Sequence, residues 1–121
     1  MTPAELLDAA RDLLARPAGE GVGGWPSAVA LLTRQALEQA IDGFWRATPT
    51  RSGLADCTTR TQLICLPTYL EAGLAREISY AWAALSTACH YHPYQLAPTA
   101  AQLSGWINKV GELITTINEV N

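Results

Sequence analysis

The chain has little with which to build a disulfide framework, cross a membrane or grip a polyanion. Its three cysteines, Cys57, Cys65 and Cys89, are odd in number and scattered. That excludes a fully paired framework and predicts reduced thiols, the state expected in the cytoplasm. No run of about 18 uninterrupted apolar residues occurs, so no membrane partner is expected. The first residues, MTPAELLDAARD, carry acids early and lack a basic segment followed by an apolar one, unlike a secretory leader. Positive charge is scarce: seven arginines and one lysine, Lys109, face 11 acids, for a formal net charge of −3. With no basic stripe, tight nonspecific binding to nucleic-acid phosphates is not predicted. Arg51 and Arg60 flank one loop and could form a local arginine cluster; the simpler reading is scattered, solvated charge.

Several chemical motifs are missing too. Glycines crowd between Gly19 and Gly24, but no Lys-Ser/Thr follows, so the stretch is a flexible loop and not a phosphate loop. Ser27, Ser52, Ser79, Ser86 and Ser104 lack the flanking glycines of a nucleophile elbow. No convincing strand, repeat or low-complexity tract appears.

What the sequence does have is helical periodicity. Tyr69 to Leu96 is the longest helix-like stretch: Leu70, Leu74, Ile78, Ala81, Leu85 and Cys89 step by three or four along one face. Pro93 disfavours helical geometry at His92, so this helix is predicted to end near Tyr91 or His92. His92 would sit where the apolar face runs out and His90 would point roughly the other way. Such a histidine serves equally as a site at the mouth of a bundle or as a structural partner of terminal carbonyls.

The other elements follow from caps and prolines. Thr2-Pro3-Ala4-Glu5 reads as a capping box opening a helix that ends near Ala15, with Leu6, Leu7, Ala10, Leu13 and Leu14 inward. A second helix is predicted from Pro26 to about Ala47. Its apolar face includes Val29, Leu32, Ala36, Leu37, Ala40, Ile41 and Phe44, and Trp45 is expected to cover the edge of the core. Arg34–Glu38 and Asp42–Arg46 are spaced as exterior ion pairs. After a polar loop from Thr48 to Thr59, Arg60 to Leu66 reads as a short helix with Leu63, Ile64 and Leu66 inward. Thr99 and Gln102 form a capping box for the last helix. There Leu103, Trp106, Val110, Leu113, Ile117 and Val120 alternate steps of three and four, widened by Ile107 and Ile114. The expected fold is all-α, an antiparallel bundle of four main helices plus one short helix in a single domain, residues 1–121.

The second helix, VALLTRQALEQAIDGFW, and the long helix ending in ACHYHPYQL resemble the HEPN superfamily of small α-helical bundle domains. Its members are often RNases of toxin–antitoxin and defence systems and commonly act as homodimers. In the active ones an Arg, then four to six intervening residues, then a His lie near the end of a bundle helix. Two such motifs meet across the dimer and cut RNA without metal.

The resemblance implies a catalytic role for His92 or, failing that, His90, with Tyr94 close behind. It places the missing cation at Thr87, five positions before His92 with four residues between. Thr87 donates a hydrogen bond but carries no charge, whereas the chemistry needs an imidazole to move a proton and a guanidinium to stabilise phosphorane charge. Arg76 or Arg60 is a distant substitute.

Three functions follow as expectations. The first is a noncatalytic domain acting by homodimerisation and by binding an antitoxin-like protein, a nucleotide or RNA. The second is a metal-independent RNase using His92 or His90. Neither requires a cofactor. The third is a zinc site from Cys89, His90 and His92 with Cys57 or Cys65. Its spacing is poor, because positions 89 and 90 of a helix point about 100° apart and no C-x-x-C partner exists.

Overall fold

The computed structural model describes residues 1–16, 25–47, 49–90 and 97–120. Among the described residues the chain is all-α. Four long helices, α1 (Pro3–Leu14), α2 (Trp25–Arg46), α4 (Ala72–Cys89) and α5 (Ala100–Val120), accompany a short α3 (Thr59–Cys65). Two 3₁₀ turns, Ser52–Asp56 and Leu66–Thr68, flank α3. The glycine-rich loop from residue 17 to 24 lies outside the described residues.

Caps set where the helices begin. Thr2 Oγ1 accepts the Glu5 N–H and Glu5 Oε1 accepts the Thr2 N–H, both at 3.1 Å, as the box in the sequence requires. Thr99 and Gln102 repeat the arrangement before α5, at 2.9 and 3.1 Å. The start of α4 differs from the expectation. Tyr69 and Leu70 close the 3₁₀ turn with N–H bonds to the Leu66 carbonyl, and Glu71 caps the helix. Its carboxylate accepts the Gly73 and Leu74 N–H groups at 2.8 and 2.9 Å. Those donors hold the Glu71 carboxyl below the ordinary glutamate range.

Helix α2 is the centre of the molecule, and α1, α4 and α5 all pack against it. Val29, Ala30, Ala36 and Leu37 are completely inaccessible. Thr33 is buried as well, its hydroxyl returned to the Val29 carbonyl at 2.8 Å. Cross-helix contacts give the directions. Trp45 meets Tyr69 while Arg34 meets Ser86, so α2 and α4 run antiparallel. Glu77 pairs with Lys109 and Tyr80 with Trp106, so α4 and α5 do too. One cleft joins Leu14 and Ala15 to Ser104, and the Leu7 side chain lies beside Gly111, which sets α1 antiparallel to α5.

Two side chains sit differently from their sequence reading. Trp45 does not cover an edge; it is fully buried, edge-on to Phe44 and to Tyr69 with ring centroids 5.2 and 5.3 Å away. Its indole N–H has no partner among the described residues. Burying about 200 Å² of ring stabilises by roughly 5 kcal/mol, which outweighs the ~1–3 kcal/mol cost of one unmet donor.

Ile64 does not face in; it is 73% exposed. Gln62 and Leu63 take the inner face of the short helix, and Ile64, about 200° round from Gln62, is turned to solvent. Gln62 is buried because its amide N–H groups serve the carbonyls of Leu54, Ala55 and Cys57 at 2.9–3.2 Å, tying the 3₁₀ turn to α3. Arg51 packs on the end of α2. Its Nε donates to the Phe44 carbonyl at 2.6 Å and its guanidinium lies 3.9 Å from the Phe44 ring centre, closing the C-terminus of α2.

Leu85, in the middle of the buried face of α4, is completely inaccessible. Leu85→Asp should cost roughly 4 kcal/mol or more and lower the melting temperature far beyond a surface control such as Asp12→Asn. An equal shift in the two variants would contradict the helical phase of α4.

Candidate functional site at the end of helix α4

The residues that promise chemistry gather where α4 stops. The helix ends at Cys89, one turn earlier than the sequence suggested. His90 is the cap: its φ of −126° and ψ of 34° leave helical space, and its N–H bonds the Thr87 carbonyl at 3.1 Å. His90 is exposed, as is Thr87. The Thr87 hydroxyl donates to the Ala83 carbonyl one turn back at 3.1 Å, so it is held on its own helix. His92 and Tyr94 lie outside the described residues. Of the four positions singled out in the sequence, the structure therefore places Thr87 and His90 on neighbouring turns of one helix end.

The structure adds a group that spacing along α4 could not reveal. Arg34 of α2 reaches across to the last turns of α4, where its Nη1 donates to Ser86 Oγ at 3.3 Å. Its Nε stands 3.0 Å from Glu38 Oε1, but the N–H is not aimed at that oxygen, so this contact is Coulombic rather than a hydrogen bond. The pair was expected on the helix exterior. It is instead half-buried between α2 and α4, with the two side chains 21% and 33% exposed.

Cys89 borders this cluster. Burial pushes its thiol above the ordinary cysteine range; the Arg34 charge pulls it down and the Glu38 charge pushes it up. At neutral pH Cys89 is therefore a protonated thiol, a poor nucleophile and a poor metal ligand. Among the described residues, no three His, Cys, Asp or Glu side chains converge as metal ligands.

Arg60 and Arg76, the distant substitutes for the missing cation, stand elsewhere. Arg60 rims a cleft of about 300 Å³ between α3 and α4, with Leu63, Ile64, Ser79, Trp82 and Ala83. Arg76 is exposed on the outer side of α4, more than two turns before Thr87. A second cleft, about 330 Å³, lies between the start of α4 and the end of α5. It carries Glu71, Glu77 and Glu112 with Lys109, a charged surface unlike the rest of that helix pair.

The sequence also holds a signal that periodicity alone does not reveal. From Ile78 to Asn108 there is no Asp, Glu, Lys or Arg. Because α4 and α5 are antiparallel neighbours, the end of α4 and the beginning of α5 share one end of the bundle. Tyr80, midway along α4, meets Trp106 of α5 at 5.7 Å between ring centroids, and Tyr80 is 70% exposed. Compared with known proteins, the chain matches no protein-family model, no curated protein and no solved structure.

Thiol reactivity tests the electrostatics of this site. Cys57 is exposed and should react first with a thiol reagent at neutral pH, while Cys89 should lag until the pH passes well above the ordinary thiol value. Equal labelling rates at the two positions near neutrality, followed by peptide mass spectrometry, would contradict the burial of Cys89.

Proposed function

We propose that this chain is a HEPN-like helical domain that acts by association. Two copies join, and the pair binds an antitoxin-like polypeptide, a nucleotide or RNA without cutting it. The observation that carries the reading is the state of the α4 end. The position that family spacing assigns to arginine is Thr87, whose hydroxyl is committed to Ala83. The arginine that does reach this end, Arg34, is engaged by Glu38 and Ser86. Withdrawing Arg34 toward a phosphate would leave a half-buried Glu38 carboxylate without its counter-charge, which opposes binding a second anion there.

A second reading is a metal-independent RNase with His92 or His90 as general acid/base. The observation that favours it is the same Arg34, a guanidinium beside the last turns of α4, the group type needed to stabilise phosphorane charge. Toxin or defence roles in the cytoplasm belong to either reading by resemblance.

Cleavage of a structured RNA in the presence of EDTA separates the two. Under the association reading the wild-type chain cuts no faster than a His90→Ala, His92→Ala double variant. His-dependent cleavage that is also lost in Arg34→Ala would replace association by catalysis. Thr87→Arg should fold, since the side chain is exposed, and should raise cleavage above wild type if the helix end descends from a catalytic one. A folded, dimeric Thr87→Arg chain with unchanged cleavage would remove the catalytic ancestry and leave association standing.

A further inference from the structure

The association reading does not say where the second copy sits. We propose that it docks on the uncharged band that crosses α4, with the two α4 helices meeting near Ala83. The band runs over three helices. Ile64 of α3 borders Ala83 in the cleft between α3 and α4, Tyr80 lies one turn back on α4, and Trp106 of α5 packs on Tyr80. Ile64 and Tyr80 are among the most exposed large apolar side chains of the described residues. Along α4 the outward ridge continues through Ala83 and Thr87 to His90, all exposed.

Charge selects the occupant. The chain is formally −3, so two copies repel through most approaches. A two-fold interface sets each patch against itself, and a patch with charges of one sign would oppose its own image. Between Tyr80 and Trp106 its residues come from the segment Ile78–Asn108, which has no Asp, Glu, Lys or Arg, and Ile64 is added by α3. Its charged neighbours lie at the margin: Arg60 one turn before Ile64, Arg76 one turn before Tyr80, and Glu77 paired with Lys109 at 3.4 Å. An uncharged, aromatic centre with a charged rim is the composition of an interface core. Ala83, small and central on the ridge, lets the two helices approach closely.

The size of the band sets the strength. Three helix widths of about 10 Å and about 20 Å of uncharged length span on the order of 600 Å² per copy, the low end of specific interfaces, so the dimer belongs in the micromolar range.

This inference rests on the association reading, and the experiment distinguishes their failures. Sedimentation equilibrium of the full chain across the micromolar range should show a monomer–dimer equilibrium. Tyr80→Glu and Ile64→Glu should each weaken it about tenfold or more, because each places a carboxylate against its own image. Ala4→Glu on α1, on the far side of the α2–α5 pair, should leave it unchanged. Both test positions are exposed, so circular dichroism should report unaltered helix content. In a Cys57→Ser background, Ala83→Cys should oxidise to a disulfide-linked dimer. A wild-type dimer that survives both charge variants, with no Ala83→Cys cross-link, would overturn the docking surface while leaving association intact. A wild-type chain that stays monomeric throughout would overturn both.

Discussion

The burial of α2 is the constraint on which the rest depends. This helix buries ten residues and leaves exposed only the stripe Leu31, Gln35, Gln39, Gly43 and Arg46, so it must be wrapped on its other sides. Here α1, α4 and α5 do the wrapping. The alanines at positions 30, 36 and 40 let neighbours approach, and Leu37, Ile41, Phe44 and Trp45 fill the space between. Every other long helix then needs only one buried face. That is why α4 and α5 are free to carry a surface of their own.

The same packing explains the polar cluster at the end of α4. Arg34 and Glu38 lie on the part of α2 that α4 covers incompletely, so the guanidinium keeps its stem against the bundle and finds Ser86. An ion pair in that half-buried place contributes little net stability, but loss of one member leaves the other costly. It therefore acts as a fixed feature beside Cys89, where its two charges pull the thiol in opposite directions and burial sets the upward shift. The RNase and association readings differ on whether Arg34 can leave Glu38 for a phosphate.

The fold was legible because it is written in local rules. Thr2 with Glu5 and Thr99 with Gln102 marked helix starts through side-chain bonds only three residues apart, and the three–four alternation in α5 marked its buried face except at Val120, which is half exposed, and Trp106, which is partly buried. What could not be read was tertiary. Trp45 is amphipathic in isolation, and only the arrival of Tyr69 from beyond the loop makes its place a core. Ile64 lost its expected inward place to Gln62, whose carbonyl acceptors lie in and just after the preceding 3₁₀ turn, outside any helical period. Arg34 is 52 residues from its partner Ser86, a separation no spacing motif spans. Thr87 and His90 lie at the end of α4, while His92 and Tyr94 fall outside the described residues.

The surface proposed for self-association is the uncharged band of Ile64, Tyr80, Ala83 and Trp106 across α3, α4 and α5. Amide and indole nuclear magnetic resonance spectra of the full chain, recorded on serial dilution, test it most directly. The account predicts concentration-dependent shifts for Ile64, Tyr80, Ala83, Thr87 and the Trp106 indole, with α1 signals still. Spectra that do not move with concentration, or shifts confined to α1, would contradict it.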